Sequence, residues 1–330
     1  MSRSAGYPLM AVTAWGLLFA VATRALRHVD AFNLTSARYA LASLILLGLL
    51  VAREGRAALR PSGRAAELVL LGAAGFAGFN LLANLALSHT TPTNAALIAA
   101  TTPLMTVLIR WARDGVRPRP ALLVLIGVAL LGVLLVITKG RLSGLSGFGS
   151  GDALMLGSVL GWALYTHGSS RFPQFSPLRY ATLTALTGTA TILLATVVAD
   201  LFGWQHLPSA ANLGRVWPEL AYLTLVAAVL AVLAWNTGIR RLGAPNTALF
   251  MNLVPVVALV VAIIQGYRPG AVELLGMAVT VGAIATANLL GRRPAPAAAA
   301  VERRPGAAPT SCAAATHQLG TRSEQPVHVG

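Results

Sequence analysis

The chain has 330 residues, 56% of them hydrophobic and only 11% charged, with a mean hydropathy of +0.70. A water-soluble domain carries about a quarter charged residues, so this composition excludes an ordinary soluble protein and points to the bilayer. The formal charge of +15 comes from basic residues that punctuate apolar runs, which argues against a nucleic-acid partner, and the single Cys312 excludes an intrachain disulfide.

A bilayer core of about 30 Å needs about 20 apolar residues in a helix. Ten segments approach that length: 8–27, 33–52, 67–88, 93–111 and 120–138, then 153–171, 177–200, 219–239, 245–265 and 271–291. They are too long for barrel strands and lack alternation, so the expected fold is an all-α integral membrane protein of ten transmembrane helices. Arg3 followed by an apolar run ending in Ala20–Val21–Ala22 would also suit a signal peptide, but the repeat described below gives the first segment a partner and predicts its retention. The Gly/Ser-rich stretch 140–151 reads as a linker, and 292–330, without periodicity, as a disordered cytoplasmic tail. With Arg292 and Arg293 counted and the distal tail beyond them left aside, fourteen basic residues fall on the side of the N-terminus and six on the other, which predicts both termini in the cytoplasm.

The second half repeats the first. At an offset of 152, Asn84, Asn94 and Pro103 meet Asn236, Asn246 and Pro255. At 147, Trp15 meets Trp162, and at 141 the tripeptide Arg38–Ala40 meets Arg179–Ala181. Residues 7–139 and 152–291 are thus expected to be two five-helix units. Five is odd, so the second unit enters the membrane from the opposite face, and the units are related by inversion, a transporter signature.

Trp15–Gly16 and Trp162–Ala163 in each first helix, Arg38 and Arg179 in each second, and an asparagine–proline fourth helix in each half carry a resemblance. The chain resembles the EamA family of the drug/metabolite transporter superfamily over residues 7–291. The resemblance implies export of amino acids and related metabolites, with a cavity lined by helices 1, 3, 4 and their mates 6, 8, 9. The small multidrug members use a glutamate in helix one; here that helix has none, and no acidic residue lies mid-span. An intramembrane proton relay on a carboxylate is therefore not expected, nor is hydrolytic chemistry.

Asn80 and Asn84 are four apart on one helix face, and Asn94, Asn236, Asn246 and Asn252 lie in or beside the matching runs. A carboxamide in hydrocarbon needs a partner, either a ligand or a neighbouring helix; Asn94 and Asn246 have helix capping as a further reading. Arg38 and Arg179 are read as basic residues inside spans, drawing a substrate carboxylate to each mouth or reaching to headgroups and loops. Trp15, Phe19, Trp162 and Tyr165 could line a cavity, and Trp235 could join them or the interfacial belt to which Trp111, Trp204 and Trp217 are assigned. His167 is either a protonation site or a polar packing residue. Pro103 and Pro255 predict kinks, with Thr101 and Thr102 placed to bond the carbonyl freed by Pro103, and Asn252 suggested for Pro255.

These readings converge on a transporter without enzymatic activity that exports amino acids or similar compounds across the cytoplasmic membrane by alternating access. Its expected partners are a small-molecule substrate and the lipid bilayer, with no cofactor and no metal. Rival readings are a nucleotide-sugar or sugar-phosphate carrier, a membrane scaffold or sensor, and a lipid-processing enzyme.

Overall fold

A computed structural model describes residues 3–141, 148–204 and 208–290. Half of the 140–151 linker, 142–147, and the whole 292–330 tail read from the sequence lie outside these residues. Eleven main helices follow one another: α1 (Gly6–Ala25), α2 (Ala31–Glu54), α3 (Ala65–Leu87), α4 (Pro92–Ala100), α5 (Thr102–Asp114), α6 (Pro120–Thr138), α7 (Ser150–Ser170), α8 (Pro177–Leu201), α9 (Trp217–Leu242), α10 (Ala244–Ile264) and α11 (Ala271–Leu290). Local chemistry sets several starts. Asp30, Thr91 and Ser176 accept hydrogen bonds from first-turn N–H groups, and prolines occupy the first helical position of α4, α6 and α8.

Among the described residues, seven helices are long and apolar enough to cross a membrane, or eight if α4 and α5 form one bent span. The sequence count of ten exceeds this at α7 and α11. α11 counts only as a shorter apolar helix, Ala271–Ala287. α7 is more polar because it is wrapped by α3, α4, α5, α9 and α10, so Ser158, Thr166 and His167 face protein rather than lipid. The outer helices show the reverse: Leu44, Leu70, Val124, Leu194, Ile264 and Leu275 are more than half exposed. Apolar surface on that scale is a liability in water and ordinary against acyl chains.

Lipid gives helices no hydrophobic reason to associate, so close approach and hydroxyl bonds must hold them. α6 and α11 pack closely, meeting at Gly132 and Gly276; a Cβ on Gly276 would lie 2.6 Å from the Gly132 carbonyl. α2 and α8 are joined by paired hydroxyls, Ser36 Oγ with Thr196 Oγ1 at 2.8 Å and Ser43 Oγ with Thr189 Oγ1 at 2.7 Å.

Two helices carry π segments, Ala73–Gly78 in α3 and Tyr222–Leu230 in α9. The chain bends by 43° between α4 and α5. Pro103 lacks the N–H that would reach Ala99, and Thr102 Oγ1 donates to that carbonyl at 2.6 Å; Thr101 Oγ1 does the same for Ile98. We expect Thr102→Val to lower thermal stability by about 0.6–2 kcal/mol, measured by unfolding in detergent. Pro255 sits where a 3-10 turn, Leu249–Leu253, meets the α-helical remainder of α10. Asn252 does not repair that junction: it is fully buried and neither amide atom has a hydrogen-bond partner.

Candidate functional site

Three tryptophans meet between α1, α7 and α9. Trp15 lies edge-on to Trp162 with ring centroids 5.4 Å apart and tilts against Trp235 at 5.2 Å; Trp162 and Trp235 are 6.0 Å apart. Trp162 and Tyr165, three residues apart on one face of α7, are 5.1 Å apart. Around them stand Phe79, at 5.4 Å from Trp162, and Phe76, at 5.1 Å from Tyr165, both on α3. Aromatic pairs prefer such edge and offset arrangements to face-to-face stacking.

A polar thread runs through this cluster. Asn236 Nδ2 donates to Tyr165 Oη at 2.6 Å and to the Val232 carbonyl at 3.0 Å. Trp235 Nε1 donates to Thr166 Oγ1 at 3.2 Å. On the α2–α3 side, Arg38 Nη2 donates to Asn80 Oδ1 at 2.5 Å, and Asn80 Nδ2 reaches Tyr39 Oη at 3.2 Å and the Phe76 carbonyl at 2.7 Å. Both π segments supply acceptors: Phe76 to Asn80, and Ala227 to Trp15 Nε1 at 3.0 Å. Trp162 Nε1, Asn236 Oδ1 and Asn84 Nδ2 are buried without a hydrogen-bond partner. Such groups cost about 1–3 kcal/mol each when left unpaired.

Other residues singled out in the sequence lie away from this cluster's contacts. Phe19 is on α1, but its side chain falls outside the described residues. Asn94 does not cap α4; Thr91 Oγ1 does, accepting from the Asn94 N–H at 3.1 Å. The Asn94 amide instead donates to Asp152 Oδ1 at 3.2 Å, and Thr90 Oγ1 bonds the same carboxylate, fixing the α3–α4 corner to the start of α7. Asn246 does not cap α10, which starts at Gly243; its amide donates back to the Leu242 carbonyl at 3.0 Å. Arg179 lies at the very start of the α8 span. It stands in the first turn of α8, stacks on Phe175 at 4.0 Å and bonds the Arg60 carbonyl and Ser62 Oγ. Only Arg38 is held within the bundle, over the Tyr39 ring at 4.6 Å. His167 lies near the end of α7, with Nε2 3.5 Å from Asp114 Oδ1, too far for a hydrogen bond.

Beyond the spans, Lys139 Nζ donates to Tyr267 Oη at 2.6 Å, a bond that raises the ammonium pKa above its ordinary value. Tyr267 in turn donates to Glu273 Oε1 at 2.9 Å. Among the described residues, no three of His, Cys, Asp or Glu stand together as metal ligands. The sequence reading missed Tyr39, Phe76 and Phe79, because an aromatic residue in an apolar run looks the same whether it faces lipid or a site. The one available signal was spacing: Phe76 precedes Asn80 by one helical turn.

The model of the EamA-like transporter family matches residues 5–138 and again 149–289. The chain belongs to the EamA-like transporter family. As a family member it is a multi-pass membrane transporter and not an enzyme. It is 32% identical to "Uncharacterized transporter YrdR" of Bacillus subtilis (strain 168), over 86% of this chain and 91% of that protein. It is 26% identical to "Aromatic amino acid exporter YddG" of Ancylobacter novellus, over 89% of this chain and all of that protein. It is 25% identical to "Probable terminal-alkyne amino-acid exporter" of Streptantibioticus cattleyicolor, over 89% and 96%. A solved crystal structure, 24% identical, shares the EamA-like fold with a TM-score of 0.74 over 89% of this chain and 99% of that one.

Proposed function

We propose that the protein exports amino acids or amino-acid-like compounds across the cell membrane by alternating access, and that the tryptophan–asparagine cluster is its substrate site. The observation that carries this is the pairing of an aromatic wall, Trp15, Trp162 and Trp235, with two buried unpartnered polar atoms, Trp162 Nε1 and Asn236 Oδ1. One surface takes an apolar or aromatic side chain; the other offers a donor and an acceptor to a polar backbone. Two of its relatives are named as exporters of amino acids of this kind.

The proposal includes ten crossing segments, counting α4 with α5 as one, arranged as two inverted five-helix repeats at 7–139 and 152–291 with both termini in the cytoplasm. Helix partnership supports it: α1 packs on α9 while α7 packs on α3, and these two pairs exchange when the halves are superimposed. The π segments fall in α3 and α9, which are mates in the same scheme. Purified protein in liposomes should give counterflow of at least one aromatic or aliphatic amino acid; uptake no greater than in protein-free vesicles across such a panel overturns the reading. A reporter fused after Arg293 should report cytoplasm, and a signal from the other side would refute the ten-segment topology.

A further inference from the structure

Where α5, α7, α9 and α11 end, they enclose a cavity of about 620 Å³ that is separate from the tryptophan cluster. Its polar wall is made by Arg110, Asp114, Arg117, Arg119, His167 and Asn246, and Val107, Leu122, Leu125 and Ala287 supply apolar surface. The three arginines make no ion pair or hydrogen bond among the described residues. Asp114 is the one carboxylate in the wall, so three exposed arginines and one anion line the same concave space. His167 is 2% exposed, lines the cavity, and its Nε2 has no hydrogen-bond partner.

Arginines on short cytoplasmic loops are expected for orientation alone, and that role needs only the right face of the membrane. Here they line, together with a buried imidazole whose Nε2 is 3.5 Å from Asp114 Oδ1, a cavity large enough for a small molecule. Guanidinium groups recognise carboxylates through paired donors, and a concave wall of one sign concentrates the opposite charge. Asp114, among the arginines, offers a place for an ammonium that a purely cationic wall would repel.

We propose that this cavity is a capture site for a small zwitterion with an apolar body, taking its carboxylate on Arg110, Arg117 and Arg119 and its ammonium on Asp114. The proposal rests on the transport reading above and gives it a first stop ahead of the aromatic cluster. The probes are leucine, isocaproate, which keeps only the carboxylate, and leucinamide, which keeps only the ammonium. Each is titrated calorimetrically into the full chain in phosphatidylcholine nanodiscs.

Leucine should bind best, isocaproate more weakly, and leucinamide weakest. The double variant Arg117→Gln/Arg119→Gln should weaken leucine binding by at least about tenfold. Arg53→Gln/Arg56→Gln, which removes the same charge from the end of α2 and the turn after it, outside the cavity, should leave it unchanged. Equal binding of all three probes, binding of none, or an equal loss in both double variants overturns the proposal. So does loss of leucine binding on partial replacement by phosphatidylglycerol, which would assign the arginines to lipid headgroups. In liposomes, the Arg117/Arg119 variant should raise the half-saturating concentration for leucine. If it leaves that value unchanged while wild-type counterflow persists, the capture site falls and the transport reading stands. Binding with the expected selectivity in a protein that gives no counterflow upholds the site and removes the transport reading.

Discussion

Replacing Asn236 by leucine, which keeps the side-chain volume and removes both polar atoms, is expected to lower the counterflow rate by about 10- to 100-fold with the monodisperse yield retained. The reasoning starts from the two ends of the amide. Nδ2 is committed, at 2.6 Å to Tyr165 Oη and 3.0 Å to Val232 O, while Oδ1 is buried with no partner. If the residue served only to join α9 to α7, leucine would leave Tyr165 Oη short of one donor and the damage would appear in folding. If Oδ1 receives a substrate donor, the damage appears in transport. Initial counterflow rates and gel-filtration yield, measured on the same preparation, separate the two. A yield that falls in step with the rate would reduce Asn236 to interhelical packing.

Gly75→Ala is expected to destabilise the protein by about 1–3 kcal/mol and to impair transport as well. A Cβ at this position would lie 2.6 Å from Tyr165 Cγ, and Tyr165 is fully buried with nowhere to retreat. Alanine improves helix propensity by about 0.8–1 kcal/mol, a gain too small to offset overpacking against an aromatic ring. Displacement of Tyr165 would also loosen its bond to Asn236. Gly48→Ala and Gly127→Ala serve as controls, since a Cβ at either meets nothing within 4 Å. They should be neutral or stabilising by up to about 1 kcal/mol. Thermal unfolding in detergent reads all three, and a Gly75→Ala midpoint at or above that of the controls would refute the close contact.

The helices were legible because spans must be apolar and long; the apolar runs match α1 to α11 to within a few residues, with α4 and α5 read together. α7 shows where that logic fails. Its serines, threonine and histidine lower its hydropathy because it is enclosed by protein, and a sequence window does not register enclosure. Within the cluster, Asn236 stood out because an amide is costly in hydrocarbon, and Trp15, Trp162 and Trp235 because large rings can line a cavity. Tyr39, Phe76 and Phe79 carry no such mark. The π segment Ala73–Gly78 has the composition of any small-residue helical turn, so its wider winding left no trace in the residues. Arg38 and Arg179 occupy matching positions in the repeat, yet one binds Asn80 inside the bundle and the other a surface loop. Pairwise matching assigns equal positions; it does not assign equal neighbours.

The break between α4 and α5 has a mechanical consequence. In an unbroken helix each carbonyl is held by an N–H whose direction is fixed by the backbone, so any change of angle strips bonds and exposes acceptors to hydrocarbon. At this break, Ala99 is held by the hydroxyl of Thr102, and Ile98 by both the N–H and the hydroxyl of Thr101; a hydroxyl swings about χ1 and can follow a carbonyl as it tilts. The joint is therefore compliant: its angle can vary over a range at little cost. α10 has Leu253 and Val254 in the matching positions before Pro255, with no hydroxyl to offer. Of the two proline-bearing segments, one is a flexure and the other a strut, and a motion that opens the bundle will concentrate its bending in the first.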